Sequence, residues 1–280
     1  MVKIVADTST LYDITSAQSI GLTVAPLSVT IDGKTYREFE EISTQEFLDK
    51  IAEGHIPTSS QPAIGEMVNV FESLDGEEIL CLSMADGLSG TYNMTVSAKE
   101  IAKNKDDITV VDTTTLCGPH RYLAECALKL ANEGLSTSGI MEKLQPLIQG
   151  AFSFLLPVDF DFLRRGGRCT SLVGHVGSLF HLYPIMRQTD DKKRLSRFGI
   201  TRNYKKAIDL CANKLIDLGA AKDYLITVSH ACDPEKAESV IKMLKEKLPF
   251  ASYRSHCVSP SFVVQGGPGL IAIQCIPLLG

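Results

Sequence analysis

Short apolar runs of strand length alternate with stretches whose apolar residues recur at helical spacing, and this alternation constrains the fold more than any other feature. Residues 2–6, 78–83 and 108–112 read as strands, the last ending in Asp112. Between them, Ser43-Thr44-Gln45-Glu46 has the form of a capping box, with Phe47, Leu48 and Ile51 following on one helical face. Further helical patterns occupy 92–102, 124–131 and 140–148. Residues 23–31 read as one extended stretch that turns at Asp32-Gly33 into 34–36, a hairpin signal. Strands alternating with helices of this length imply right-handed βαβ units and a mainly parallel sheet.

The second half is organised differently. A helical stretch near 171–181 leads into an antiparallel pair, 184–187 and 194–198, joined by a turn at Asp190-Asp191. Helices at 204–218 and 234–247 flank a strand at 224–229, and a β-like stretch at 251–258 and a last apolar strand at 270–276 follow. The expectation is an α/β protein of two domains: residues 1–158 as a mainly parallel α/β unit, and residues 159–280 as an α+β unit with a mixed sheet. A chain of 280 residues is long enough to divide in this way and to enclose a ligand.

Charge and cysteine usage exclude several functions. The net charge is −5, so the chain repels phosphate backbones and general nucleic-acid binding is not expected. One segment runs against this trend: Arg187 to Lys206 holds eight basic and two acidic side chains. A solvated hairpin tip accounts for it, and so does a docking patch for an acidic partner. The eight cysteines form no C-x-x-C pair and sit in apolar runs, which reads as small buried hydrophobes in a reducing cytoplasm. The chain opens directly into a strand and has no long apolar span, so neither a signal peptide nor membrane insertion is expected. No metal-ligand spacing, G-x-G-x-x-G or P-loop occurs, so no metal or cofactor is expected.

Four segments could carry chemistry. Asp86-Gly87-Leu88-Ser89-Gly90-Thr91-Tyr92 follows a strand and opens a helix. The first amides of a helix lack intrahelical acceptors and sit at the positive end of its dipole. A small turn with hydroxyls at Ser89 and Thr91 could therefore receive a carboxylate or phosphate there. A plain Ser/Thr cap accounts for the same residues. Pro57-Thr58-Ser59-Ser60-Gln61-Pro62 is a polar loop stiffened by prolines at both ends, or else simply a well-capped helix start. Leu163-Arg164-Arg165-Gly166-Gly167-Arg168 places three planar donors around two glycines, for an anion or as a positive surface turn. Gln265-Gly266-Gly267-Pro268-Gly269 is a glycine-rich turn into the last strand.

An alternative makes Ser89 the nucleophile of a hydrolase or of an acyl or phosphoryl transferase. The elbow G-x-S-x-G is missed because Thr91 holds its last position, and no motif assigns a base among the scattered histidines.

Taken in order, Asp7-Thr8-Ser9, Ser59-Ser60-Gln61-Pro62, Leu88-Ser89-Gly90-Thr91-Tyr92, Val111-Asp112-Thr113, the turn at 163–168 and Gly266-Gly267-Pro268-Gly269 resemble the DegV family across nearly the whole chain. The resemblance implies two α/β domains holding a long-chain fatty acid in a tunnel, with no catalytic turnover. It also implies presentation of the carboxylate to a fatty acid kinase for phospholipid synthesis. By position it assigns carboxylate binding to Ser59 and Ser89, supported by Ser60, Gly90, Thr91 and Gln265. It places Arg164, Arg165 and Arg168 towards the kinase. Two departures stand out: Ser59 occurs where the family has Thr, and Gln265 where many members have His. The apolar runs 152–158 and 270–276 are the expected tunnel walls.

Overall fold

The computed structural model describes residues 1–158, 160–169 and 182–280, with Phe160 described by its backbone alone. The helical stretch expected at 171–181, with His175 and His181, lies outside these residues, as does Asp159.

The first half runs β1 (Lys3–Asp7), α1 (Ile14–Ser19), β2 (Thr23–Ala25), β3 (Ser28–Ile31), β4 (Lys34–Arg37), α2 (Thr44–Ala52), β5 (Thr58–Ser60), α3 (Ile64–Glu72), β6 (Ile79–Ser83), α4 (Thr91–Ile101), β7 (Ile108–Asp112), α5 (Cys117–Asn132) and α6 (Thr137–Gly150). The second half runs β8 (Phe152–Leu156), α7 (Phe160–Gly166), β9 (Tyr183–Gln188), β10 (Leu195–Thr201), α8 (Tyr204–Asp217), β11 (Tyr224–His230), α9 (Pro234–Lys245), β12 (Ser252–Cys257), α10 (Pro260–Gly266) and β13 (Ile271–Pro277).

A four-stranded sheet in the order β2-β1-β6-β7 is parallel throughout. A six-stranded sheet in the order β10-β9-β8-β13-β11-β12 is mixed, with β11–β12 its one parallel pair. The α/β class with a parallel and a mixed sheet therefore agrees with the sequence reading. A division at 158/159 would leave β8 with the first unit, although its strand pairing is entirely with β9 and β13 of the mixed sheet.

The extended stretch expected at 23–31 is broken at Pro26. β2 pairs with β1, whereas β3 leaves to form a small antiparallel sheet, β4-β3-β5. Proline has no N–H to offer a ladder, and the next amide, that of Leu27, donates to the Thr8 hydroxyl at 2.9 Å.

Four apolar clusters hold these layers together. Leu123, Ala127 and Leu130 of α5, with Ile140 and Leu144 of α6, cover one face of the parallel sheet. They also meet Leu225 and Ile276 of the mixed sheet. Met67 and Phe71 of α3, with Met94 and Ala98 of α4, cover the opposite face. α8 and α9 cover the outer face of the mixed sheet through Ile208, Cys211, Val240 and Leu244. Val29, Ile31 and Phe47 pack against Val258, Val263 and Val264, so the small sheet and α2 dock onto α10. Each fully buried aliphatic or aromatic side chain contributes roughly 1.5–3 kcal/mol. Because residues distant in sequence share these clusters, the two halves are stabilised jointly.

The cysteine expectation needs correction. Cys81, Cys117, Cys126, Cys211 and Cys275 are buried, but Cys169 and Cys232 are half-buried and Cys257 is exposed.

Candidate functional site

The parallel strands β1, β6 and β7 end together, and the loops that leave them build one wall of a cavity. The Asp7 carboxylate, buried at the end of β1, accepts from the Ser9 amide at 2.9 Å and the Met84 amide at 3.0 Å. That second bond fixes the chain leaving β6, and Met84 lines the cavity. Asp112, at the end of β7, accepts from the amides of Asp86 and Thr114. Burial pushes the Asp112 carboxyl above the usual carboxylate range. The turn at 86–90 is held from outside as well, because the Lys193 ammonium pairs with Asp86 at 2.9 Å.

Ser89 and Gly90 close this turn onto the first turn of α4. The Ser89 and Thr91 hydroxyls lie 2.8 Å apart, and the Thr91 amide donates to Ser89 Oγ at 3.3 Å. Ser89 and Gly90 line the cavity, whereas Thr91 is buried and orients Ser89. Gly90 is required by close approach: a Cβ there would stand 2.1 Å from Gln61 Oε1. That contact brings the end of β5, with Ser59, Ser60 and Gln61, against the start of α4.

Gln265, on α10, completes this group. Its Nε2 donates to Ser59 Oγ at 3.3 Å, and its Oε1 sits where a Cβ on Gly166 would be, 2.1 Å away. Arg168 donates from Nε to the Leu88 carbonyl at 3.1 Å and from Nη1 to the Gly166 carbonyl at 2.6 Å. The guanidinium therefore ties the turn after α7 to the turn before α4, and it lines the cavity.

The cavity has a volume of about 420 Å³, within the roughly 300–1,000 Å³ typical of small-molecule sites. Its lining changes character with depth. Ser60, Gln61 and Gly90 are exposed, while Ser59, Ser89 and Gln265 are half-buried. Leu27, Met84, Cys117, Phe154, Val258 and Leu270 form a buried apolar wall. Leu270, just before β13, and Ala272 and Gln274 on it face the cavity in alternation, while Ile271, Ile273 and Cys275 face α8 and α9. β8 contributes Ser153, Phe154 and Leu155. Both expected wall segments thus take part, although only some of their residues do.

The apolar wall is interrupted by amides. Gln274, 1% exposed, donates from Nε2 to the Leu116 carbonyl and to Ser153 Oγ, both at 2.9 Å. Gln188 donates to the carbonyls of Thr114 and Lys192. Behind the wall, the buried Glu38 carboxylate accepts from the Thr8 hydroxyl and from the Ser261 amide at 3.0 Å. Burial raises its proton affinity, and it joins the small sheet to the start of α10.

The hydrogen bonds of the Ser89 hydroxyl are to Thr91, and among the described residues no His, Asp, Glu or Lys side chain bonds to that hydroxyl. His120 lies elsewhere, fully buried, with Nδ1 2.7 Å from Ser9 Oγ and Nε2 3.2 Å from the Leu82 carbonyl. Among the described residues, no group of three or more His, Cys, Asp or Glu is placed to hold a metal, and no helix is long and apolar enough to cross a membrane.

A family model described as "Uncharacterised protein, DegV family" matches residues 1–278. The chain belongs to the DegV family. A DegV domain-containing protein of Listeria innocua is 32% identical over 284 residues, covering 97% of each chain. Among solved structures, one described as DegV, a fatty acid binding protein from Bacillus subtilis, matches with a TM-score of 0.85 at 26% identity, covering 99% of both chains. Another, described as fatty acid binding of a DegV family protein from Thermus thermophilus, matches with a TM-score of 0.87 at 25% identity, again covering 99% of both.

Within this DegV chain, six positions singled out from the sequence (Ser59, Ser60, Ser89, Gly90, Gln265 and Arg168) meet at one cavity. Arg164 and Arg165 do not line it. They are exposed on α7, with Arg164 beside Asp161 at 3.3 Å and Arg165 over the Phe162 ring. Arg168 was expected to face a partner together with them, yet its hydrogen bonds are to the walls of the cavity. The basic stretch from Arg187 to Lys206 includes the β9–β10 hairpin and its turn. Arg187 pairs with Asp190, Lys192 reaches the Ala151 carbonyl, and Lys193 is committed to Asp86. Gln188 and Gln274 were not singled out from the sequence; an amide inside an otherwise apolar strand such as 271–277 was the signal for Gln274.

Proposed function

We propose that this chain holds one long-chain fatty acid, with the acyl tail against the buried wall and the carboxylate at the Ser59, Ser89 and Gln265 end. The observation that carries this reading is the gradient within one cavity, from exposed hydroxyls, amides and a helix N-terminus to buried aliphatic and aromatic side chains. An amphiphile with one anionic end and a long apolar tail matches that gradient. Burying roughly 14 methylenes at about 0.8 kcal/mol each contributes on the order of 11 kcal/mol before ordering costs. The carboxylate needs donors, since burying it unpaired would cancel much of that gain. Ser59 and Ser89 hydroxyls, Gln265 Nε2 and the first-turn amides of α4 that follow Thr91 are donors of the right kind. The fatty-acid-binding descriptions of the Bacillus subtilis and Thermus thermophilus relatives support the same assignment.

The chain then acts as a carrier without turnover, working in the reducing cytoplasm with its thiols free, and it presents the carboxylate to a fatty acid kinase that makes the acyl phosphate. Two features favour presentation: the carboxylate end is the exposed end, and Arg164 and Arg165 project from α7 one turn before the cavity-lining Arg168. A two-unit division of the chain is part of the same reading, with β8 counted in the second unit because it pairs with β9 and β13.

The test is a titration of the purified protein with a fluorescent long-chain fatty acid. Each hydrogen bond to a charged group is worth about 1.5–3 kcal/mol, so Ser59→Ala and Ser89→Ala should each weaken binding about tenfold or more. Undiminished affinity in the folded double variant would refute the carboxylate assignment. Arg164→Glu/Arg165→Glu should leave that affinity unchanged and reduce acyl-phosphate formation by an added fatty acid kinase. Equal rates would refute the presenting surface.

A further inference from the structure

The structure places two thiols in contact at the surface, and neither of them lines the fatty-acid cavity. Cys257 is the last residue of β12 and is exposed; Cys232 follows β11 and is half-buried. β11 and β12 are parallel neighbours with His230 opposite Cys257. The chain turns back immediately after β11, because the His230 carbonyl accepts from the amides of both Cys232 and Val258. That turn puts Cys232 at φ +51°, a left-handed conformation that a Cβ-bearing residue rarely adopts. Its result is a Cys232 Sγ to Cys257 Sγ distance of 3.1 Å, with both sulfurs as free thiols. An unusual backbone conformation retained where it brings two reactive groups together calls for a functional account.

We propose that Cys232 and Cys257 form a reversible thiol–disulfide site, oxidised by a low-molecular-weight disulfide. Disulfides in reducing compartments are typically transient and redox-responsive, and this pair has the required proximity and access. Cys257 is the attacking thiol. It is the more exposed of the two, whereas burial and the neighbouring sulfur push the Cys232 thiol up to about 12.

The Cys257 thiolate displaces one sulfur of the external disulfide, forming a mixed disulfide and expelling a thiolate that takes up the proton Cys257 released. Cys232 then loses its proton to the second departing thiolate as it attacks the Cys257 sulfur. Two protein S–H bonds are exchanged for one S–S bond, and the external disulfide gains two electrons to become two thiols. The bond closes where the chain passes from β12 towards α10, the helix that carries Phe262 and Gln265 to the cavity.

The experiment uses the full-length reduced protein, equilibrated in buffers of increasing oxidised-to-reduced glutathione ratio. It is then acid-quenched, alkylated with iodoacetamide, and mapped by peptide mass. The expected result is a Cys232–Cys257 cross-linked peptide that has lost two hydrogens and that disappears on returning to reduced glutathione. Cys232→Ser should stop at a glutathione adduct on Cys257, and Cys257→Ser should leave Cys232 unmodified. Independent alkylation of both thiols at every ratio, or glutathione adducts on both without a cross-link in the unsubstituted protein, would overturn the proposal.

Discussion

Gln265 illustrates how a single residue tunes the site. Its amide donates to Ser59 and fills the space left by the missing Cβ of Gly166, so it is held in place and cannot become charged. With the carboxylate at Gln265, as proposed, the contribution of this residue to binding should be flat with pH. Gln265→His should introduce tighter binding below about pH 6.5, where imidazole is protonated. Fatty-acid affinity measured across pH 5.5–8 checks this, and a flat profile in the variant would count against Gln265 lying at the carboxylate.

The residue scale also shows what sequence can and cannot disclose. Ser59, Ser89 and Gly90 stood out in the sequence as polar or small residues beside helix starts, where a plain helix cap uses the same residue types; the structure adds that they meet at one cavity. Gln188 and Gln274 were not, since whether a strand amide faces a cavity depends on which face the neighbouring sheet leaves open. Arg168 stood out in the sequence, but its hydrogen bond to the Leu88 carbonyl depends on a loop eighty residues earlier in the chain.

At the scale of elements, the site is held by strand ends. Asp7, at the end of β1, satisfies two amides, one of which fixes Met84 after β6. Asp7→Ala would leave both buried N–H groups without an acceptor at about 1–3 kcal/mol each. A loss of roughly 2–4 kcal/mol in urea unfolding is expected, with a smaller loss for Asp7→Asn, which keeps one acceptor. An Asp7→Ala protein as stable as the parent would show that these bonds do not hold the β1–β6 junction. The longer helices were legible from their apolar spacing and caps, and the Ser43–Glu46 capping box forms as expected, but the short α1, α7 and α10 were not: the segments read as turns at 163–168 and 265–269 begin inside α7 and α10. The break at Pro26 was missed because apolar continuity across 23–31 masked the absence of a ladder donor. The membership of β8 in the mixed sheet was equally hidden, since pairing with β13 more than a hundred residues later leaves no local trace.

At the scale of the whole molecule, buried ionisable groups give stability a pH dependence. Burial holds His120, His230 and His256 below the ordinary histidine range, His256 at about 4 with the Arg121 charge adding to the effect. Each binds fewer protons folded than unfolded, so its contribution is complete above about pH 6.5 and is lost as pH falls towards its folded value. The buried Glu38 acts in the opposite sense, weakening the fold as pH rises above the ordinary carboxylate range. The His256 contribution is isolated by comparison with His256→Gln: between pH 7 and pH 5 the parent should lose up to about 2 kcal/mol more than the variant. Equal losses in urea unfolding would mean that His256 titrates normally in the folded protein.

The cavity itself belongs to this scale, because α10, β8, β13 and the ends of β5 and β6 all contribute to it. Its predicted content is the central claim. Native mass spectrometry of the purified protein, followed by organic extraction and lipid analysis, tests it most directly. The account predicts one fatty acid per chain, retained in the gas phase and identified in the extract. A protein that is ligand-free and takes up no added fatty acid would contradict it.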